Sequence, residues 1–493
     1  MSTTLDFQPA DLARAEGHYI GGRHVGAAET LEVLRPCDGL PLGRIALADE
    51  STVDFAVRDA RRAWTASGWG RSAPRERARV LNRWADLIDR HAVELGQLEA
   101  AASTRPVSEA VHGDVPFTAE AIRFFAELAD KVGGDVAATR QDSLGMIVPE
   151  PYGVVAAIAP WNFPLSMASW KCGPALAAGN AVVLKPSELT PYSTLRLAEL
   201  AVEAGLPEGV FNVINGRGPQ AGGALTRHPL VGKISFTGST RTGGAIMSEA
   251  GRHGARPMTL ELGGKSPQLV FEDVPDLAHV ARCVARGFTA NGGQACVAGT
   301  RLIVHRRLAR DLVEAVLAEL QDIVPGPTWL AATAYSPIIS SAQADRIARI
   351  VHDAQAQGAR LLTGGARFAD HPAFYRPTVL DGVRPGMDVL REEVFGPVLT
   401  VQTFETEAEG LALADHPVYG LAAGVHTRDI GQALRAARRL EAGTVWINRY
   451  GRSGDMIMPT GGFKGSGIGK DLGRQAMEAS LRYKSVLVDF EAA

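Results

Sequence analysis

Cysteine is scarce, with four in 493 residues (Cys37, Cys172, Cys283 and Cys296). So few thiols exclude a disulfide framework, and without a CxxC pair or Cys/His ligand spacing no structural metal is expected. Net charge is also nearly missing, since 51 Lys+Arg against 54 Asp+Glu leave −3. That balance offers no basic surface for nucleic acid or an anionic membrane, and no acidic tail. Long apolar runs are rare. The charge-free stretch 151–170 nears the ~20 residues of a membrane span, but Pro151, Pro160, Asn162 and Pro164 interrupt it. A buried strand, a turn and a helix fit it better. The first 17 residues carry Asp6, Asp11 and Glu16 and no apolar core, unlike a signal or transit peptide. A reducing cytoplasm is therefore the expected location, with no membrane and no nucleic acid as partner.

What is present is a large core. Hydrophobic residues make up 46% and charged residues 21%, as in soluble globular proteins. The length exceeds one domain of ~100–200 residues, so two or three domains are expected. From Val154 short apolar runs alternate with helical patterns. Runs 154–158, 181–185, 210–214, 233–236 and 258–261 read as strands. Between them the clearest helix starts with Thr190 as cap and Pro191 at the first helical position; its apolar face is Leu195, Ala198 and Val202, and Gly205 closes it. Residues 72–132 are mostly helical. After Cys296, strands are expected at 301–304, 399–402 and 444–447 and a helix at 342–356. This alternation predicts an α/β fold of two open parallel-sheet domains, divided near residues 262–268. The C-terminal run 485–488 is a strand with no local partner. It is expected to pair with a separate extension, on this chain or another subunit.

Ligands of open parallel sheets bind beyond the carboxyl ends of the strands. There the sequence places 160–164 (PWNFP), 185–188 (KPSE), 215–218 (NGRG), 237–240 (TGST) and 261–266 (ELGGKS). Polar groups and glycines collect along one edge, suiting a charged, hydrogen-bonding cofactor. It is not a standard phosphate loop. Thr259 and Lys464 stand where Walker-type loops ending at Lys265 and Lys470 need glycine, and the glycine after Gly216-Arg217-Gly218 falls one residue late, at Gly222. Amides at the helix start 238–243 remain a candidate pyrophosphate site.

Cys296 lies in a glycine-rich loop, 291–299 (NGGQACVAG). Small neighbours keep the sulfur accessible and let backbone N–H groups approach a developing oxyanion, and a thiolate attacks carbonyls well. Cys37, Cys172 and Cys283 read as inert thiols, Cys283 in a helical core pattern with Val280, Val284 and Phe288.

Together 160–164, 185–188, 236–240, 261–267, 293–296, 392–397 (EEVFGP) and 461–467 (GGFKGSG) resemble the signatures of the NAD(P)-dependent aldehyde dehydrogenase superfamily, in the family's order; 19–22 (YIGG) adds to the likeness. The resemblance implies that Cys296 attacks an aldehyde to form a thiohemiacetal. Its oxyanion would be held by Asn162 and the Cys296 N–H. Hydride transfer to nicotinamide would leave a thioester, hydrolysed with Glu261 as base. For the cofactor it implies Lys185 and Glu188 at the ribose of the adenosine half, Gly238, Ser239 and Gly243 at the pyrophosphate, Glu393 at the nicotinamide ribose and Phe395 near its ring, with Trp161, Ser187, Leu262 and Gly263 also in the cofactor site. Glu188 favours NAD, while Lys185 leaves room for the 2′-phosphate of NADP. Met167, Trp170 and Ala290 would line the substrate tunnel, Ala290 widening it. Two departures from common family patterns, at 101–106 and at Ser336, touch loop shape only.

By the same resemblance, 1–135 and 157–262 form a Rossmann-like NAD-binding domain and 263–460 the catalytic domain. Segments 136–156 and 475–493 form a small β oligomerisation extension of a homodimer or homotetramer. Two rival readings are an acylating enzyme that passes the thioester to coenzyme A, which Glu261 argues against, and a non-catalytic binding protein of the same fold. A thiol esterase activity of the same cysteine is a third.

Overall fold

The computed structural model describes residues 5–490. The first four residues of the N-terminal segment and the last three of the C-terminal extension lie outside the described residues.

Each expected apolar run forms a strand, because β-branched residues buried on both faces suit the middle of a parallel sheet. Val154–Ile158 is wholly buried and pairs in parallel with Ala181–Lys185 on one side and Val231–Thr237 on the other. Phe211–Val213 and Met258–Glu261 extend the sheet outward. Antiparallel pieces finish both edges, with His18–Ile20 and Arg23–Val25 at one and Gly467–Ile468 at the other. Helices cover both faces, and the core they share with this sheet includes Trp84, Phe125, Leu184 and Phe211.

A second sheet, of seven strands, is built around Pro267–Val270, Arg301–His305 and Val398–Phe404. Only its edge strand Arg360–Thr363 is antiparallel. The two sheets meet where Met258–Glu261 passes to Pro267–Val270 through Leu262-Gly263-Gly264-Lys265-Ser266. This short crossing sets the cleft between them.

The third sheet joins Leu481–Asp489 to Ser143–Pro151, antiparallel over the full length from Leu481↔Pro151 to Asp489↔Ser143, with Asp135–Ala137 beyond. The C-terminal strand thus finds its partner within its own chain. Two expected bounds shift. Residues 154–156 lie at the centre of the large sheet, so the extension ends at the turn before Gly153, whose φ is 105°. At the C-terminal end, helix Gly473–Ala479 packs Ala476 and Met477 into the first core, so the extension begins with the strand at Leu481.

The helix after Ala181–Lys185 is also corrected. It runs Tyr192–Glu203, and Pro191 already has helical φ of −86°. Thr190 does not cap it; its hydroxyl is buried without a partner, and Thr194 instead donates to the Pro191 carbonyl at 2.8 Å. Gly205, at φ 97°, ends the helix as expected. The charge-free stretch 151–170 resolves into strand Val154–Ile158 and helix Pro164–Ala177. Among the described residues no helix is long and apolar enough to cross a membrane.

Candidate active site

A cleft of about 1280 Å³ runs between the two large sheets. Cys296 reaches it from an unusual loop. After helix Leu277–Thr289, three successive residues, Asn291, Gly292 and Gly293, take left-handed φ of 51°, 60° and 71°. A β-carbon on Gly293 would overlap the Gly396 carbonyl, so only glycine passes there. The turn is pinned from within. Thr104 donates to Asn291 Oδ1 at 2.6 Å, and Asn291 Nδ2 donates to the Asn162 carbonyl at 2.9 Å. Asn162 Nδ2 in turn donates to the Gln294 carbonyl at 2.9 Å. Asn162, which follows the first strand, and the Cys296 loop are therefore locked across the cleft, and both line it. Tyr450 Oη donates to the Val297 carbonyl at 2.7 Å and braces the far side of the cysteine.

Burial pushes the Cys296 thiol up to about 11; Arg452 is the leading charge that opposes this, while Glu393 and Glu261 add to it. Glu261 ends strand Met258–Glu261 but is not among the residues that line the cleft. Its Oε1 is buried with no hydrogen-bond partner. Burial first, and Asp471 second, hold its carboxyl well above the usual range, with Lys171, Arg452 and Lys470 opposing.

Of the expected cofactor residues, Trp161, Gly238, Ser239, Leu262, Gly263, Glu393 and Phe395 line the same cleft. Ser239 caps helix Thr240–Arg252 by accepting the Thr242 N–H at 3.2 Å, so that helix aims its free amides and positive end at the cleft. Gly243 is off the lining, but its bare Cα lets the helix seat against Leu262, where a β-carbon would stand 2.6 Å from Cδ2. Glu393 Oε1 accepts the Gly264 N–H at 3.0 Å, and Arg346 holds the Glu393 and Val394 carbonyls. Burial raises the Glu393 carboxyl to about 7. Phe395, at φ 53°, is held in a strained backbone that turns its ring edge-on to Trp161, 5.3 Å between centroids.

Lys185, Ser187 and Glu188 are not on the lining but at the carboxyl end of the neighbouring strand, where Lys185 pairs with Ile158 in register. Lys185 Nζ donates to the Pro186 carbonyl at 2.9 Å and reaches Glu188 at 3.5 Å. Burial lowers its pKa, with Glu188 opposing.

Met167, Trp170 and Ala290 line the cleft as expected, joined by Phe117. Cys283 does not belong to the core. Helix Leu277–Thr289 buries Val280, Val284 and Phe288, while Cys283 lies on the opposite stripe with His279, Arg282 and Arg286, facing the cleft. Its Sγ is 3.4 Å from His279 Nε2. Sequence reasoning also missed Arg452 and Tyr450. An arginine beside glycine carries no spacing signal; only the spacing 279, 282, 283, 286 was there to be read as a second helical face.

With this geometry in view, comparison with known proteins is decisive. The model of the "Aldehyde dehydrogenase family" matches residues 24–486. The NADP/NAD-dependent aldehyde dehydrogenase PuuC of Escherichia coli (strain K12) is 44% identical over 476 residues, 96% of each chain. The chain belongs to the aldehyde dehydrogenase family. Among solved aldehyde dehydrogenases, an indole-3-acetaldehyde dehydrogenase complexed with NAD+ superimposes with a TM-score of 0.95 at 40% identity over 98% of both chains. The gamma-glutamyl-gamma-aminobutyraldehyde dehydrogenase of Burkholderia cenocepacia J2315 does so with 0.95 at 42% identity, again over 98% of both. An aldehyde dehydrogenase fold thus accounts for nearly the whole chain.

Proposed function

We propose that this aldehyde dehydrogenase oxidises an aldehyde to a carboxylic acid with NAD, through Cys296. The observation that carries this is one cleft lined by the Cys296 sulfur, the Asn162 amide, a capped helix start at Ser239 and the Glu393 carboxylate. The cleft fits a dinucleotide. A helix start meets a diphosphate, a carboxylate on a glycine backbone meets a ribose, and the Trp161–Phe395 edge meets a flat ring.

In the proposed sequence Cys296 first gives up its thiol proton to water, and the thiolate then attacks the aldehyde carbon and a C–S bond forms. The Asn162 amide and the Cys296 N–H stabilise the resulting oxyanion. When bound, NAD supplies the hydride acceptor for the next step, which leaves a thioester on Cys296. In its ionised form the Glu261 side chain, whose Oε1 has no hydrogen-bond partner, swings toward the cleft and takes a proton from water. The hydroxide attacks the thioester, the C–S bond breaks, and the carboxylate leaves with the thiolate restored.

The first large sheet is assigned to the cofactor, with Lys185, Ser187 and Glu188 at the adenosine end and Glu188 favouring NAD over NADP. The second sheet is assigned to catalysis. The antiparallel extension, which exposes Val136, Tyr483, Leu487 and Phe490, is assigned to assembly as a homodimer or homotetramer. A cytoplasmic location completes the reading.

NADH formation with a panel of aldehydes tests it. Turnover without coenzyme A supports hydrolysis by Glu261. A strict need for coenzyme A selects the acylating alternative, and binding of NAD without turnover of any aldehyde selects a non-catalytic protein.

A further inference from the structure

The substrate end of the cleft is cationic. Arg282 and Arg286 stand one turn apart on the exposed stripe of helix Leu277–Thr289, and Arg452 reaches in from the facing loop. Among the described residues none of these three guanidinium groups forms a salt bridge; Arg452 and Arg282 act only at longer range, on the carboxyls of Glu261 and Asp276. Elsewhere on the cleft, Arg346 and Arg391 are neutralised by Glu392 and Asp388, while Arg241 lines it beside the Ser239 helix start. The one carboxylate lining the substrate end, Asp114, is already taken by Arg105, whose Nε donates to it at 2.7 Å. Arg452 is also positioned: its guanidinium stacks on the Trp170 ring, 4.7 Å from the centroid, so it enters the cleft on a rigid aromatic wall. An orphaned guanidinium held on the face of an aromatic ring is a preorganised anion receptor.

Resting on the aldehyde-oxidising reading above, we infer that the substrate is an aldehyde whose far end carries an anion, a carboxylate or a phosphate, bound by Arg452 with Arg282 and Arg286 at the mouth. The apolar side chains of Met167, Trp170 and Phe117 would accommodate the chain between the two ends. Arg452 is also the leading charge that favours the Cys296 thiolate, against Glu393 and Glu261.

The test compares three aldehydes of one chain length and different charge: 5-oxopentanoate, pentanal and 5-aminopentanal. The expected order of kcat/KM follows the charge, anion above neutral above cation, with the anion ahead of the neutral aldehyde by about tenfold, as one charge-assisted hydrogen bond allows. In Arg452→Gln that ratio falls, mainly through a higher KM for the anion. Arg282→Gln and Arg286→Gln, on an exposed helix face, provide the same reading should Arg452→Gln disturb the Trp170 wall. A phosphate-terminated aldehyde in the same assay distinguishes the two anions. Pentanal matching or exceeding 5-oxopentanoate, or a ratio unchanged in all three variants, overturns the proposal. Equal losses on every aldehyde do so too, because they mark Arg452 as a group acting on the thiolate alone. No NADH from any aldehyde is a different failure, that of the oxidising reading itself.

Discussion

Gly263 offers bare backbone where the Glu393 carboxylate lies; a β-carbon at 263 would overlap Oε2. The contact crosses from one sheet to the other and fixes Glu393 where the cofactor's nicotinamide end is proposed to bind. Gly263→Ala should push Glu393 aside, raising KM for NAD by about tenfold, the worth of one charged hydrogen bond. The melting temperature should hardly change. Steady-state kinetics at varied NAD, with a thermal melt beside them, check this; an unchanged KM would remove Glu393 from the cofactor site.

Thiol reactivity should report the burial of Cys296. With its thiol raised to about 11, the thiolate fraction grows about tenfold per pH unit across the neutral and mildly alkaline range. Alkylation of Cys296 by iodoacetamide in the free enzyme should therefore accelerate steadily with pH. Arg452→Gln should slow it at every pH, because Arg452 is the leading charge that favours the thiolate. A rate flat from neutral pH upward would mean a thiolate already formed.

Stability should depend on Glu99. This carboxyl is wholly buried, accepting the Leu165 N–H at 3.1 Å and the Ser193 hydroxyl, and burial raises it to about 8. Folding thus favours its protonated form. The associated stability is complete below the unfolded value of 4.5 and is lost as pH rises through about 8. Glu99→Gln keeps the Leu165 hydrogen bond on its amide oxygen and reverses the other, its amide nitrogen donating to the Ser193 hydroxyl, without the charge. Its melting temperature should exceed the parent's by roughly several degrees at pH 8 and converge with it near pH 4.5. A variant less stable at both pH values would contradict this.

The extension should hold subunits together. Leu487 is 74% exposed on a strand whose other edge is already paired with Ser143–Pro151. Leu487→Asp should lower the mass seen by light scattering without loss of folding. An unchanged mass would place the subunit interface elsewhere.

Much of this fold is legible in the sequence because of how it is buried. Strands such as Val154–Ile158 and Ala181–Lys185 are enclosed on both faces, so they appear as unbroken apolar runs ending in polar turns. The Cys296 loop is legible because Gly292 and Gly293 are needed at left-handed φ. Three features were hidden for physical reasons. Thr190 looks like a cap, yet Pro191 has already entered the helical region and takes the capping position itself, so the Thr190 hydroxyl stands one residue too early and is buried without a partner. Cys283 sits on a helix with two useful faces, and the apolar stripe masks the cationic one. For Leu481–Asp489 the resemblance named the partner segment but the residues did not, because register with a strand hundreds of positions earlier leaves no local trace.

The central claim is that Cys296 carries the substrate covalently and that Glu261 releases it. In Glu261→Gln, mixed with NAD and an aldehyde and quenched after one turnover, mass spectrometry should find the acyl group on the peptide bearing Cys296, with about one NADH formed per site. NADH formation with that cysteine unmodified, or with the acyl group on another residue, would contradict the account.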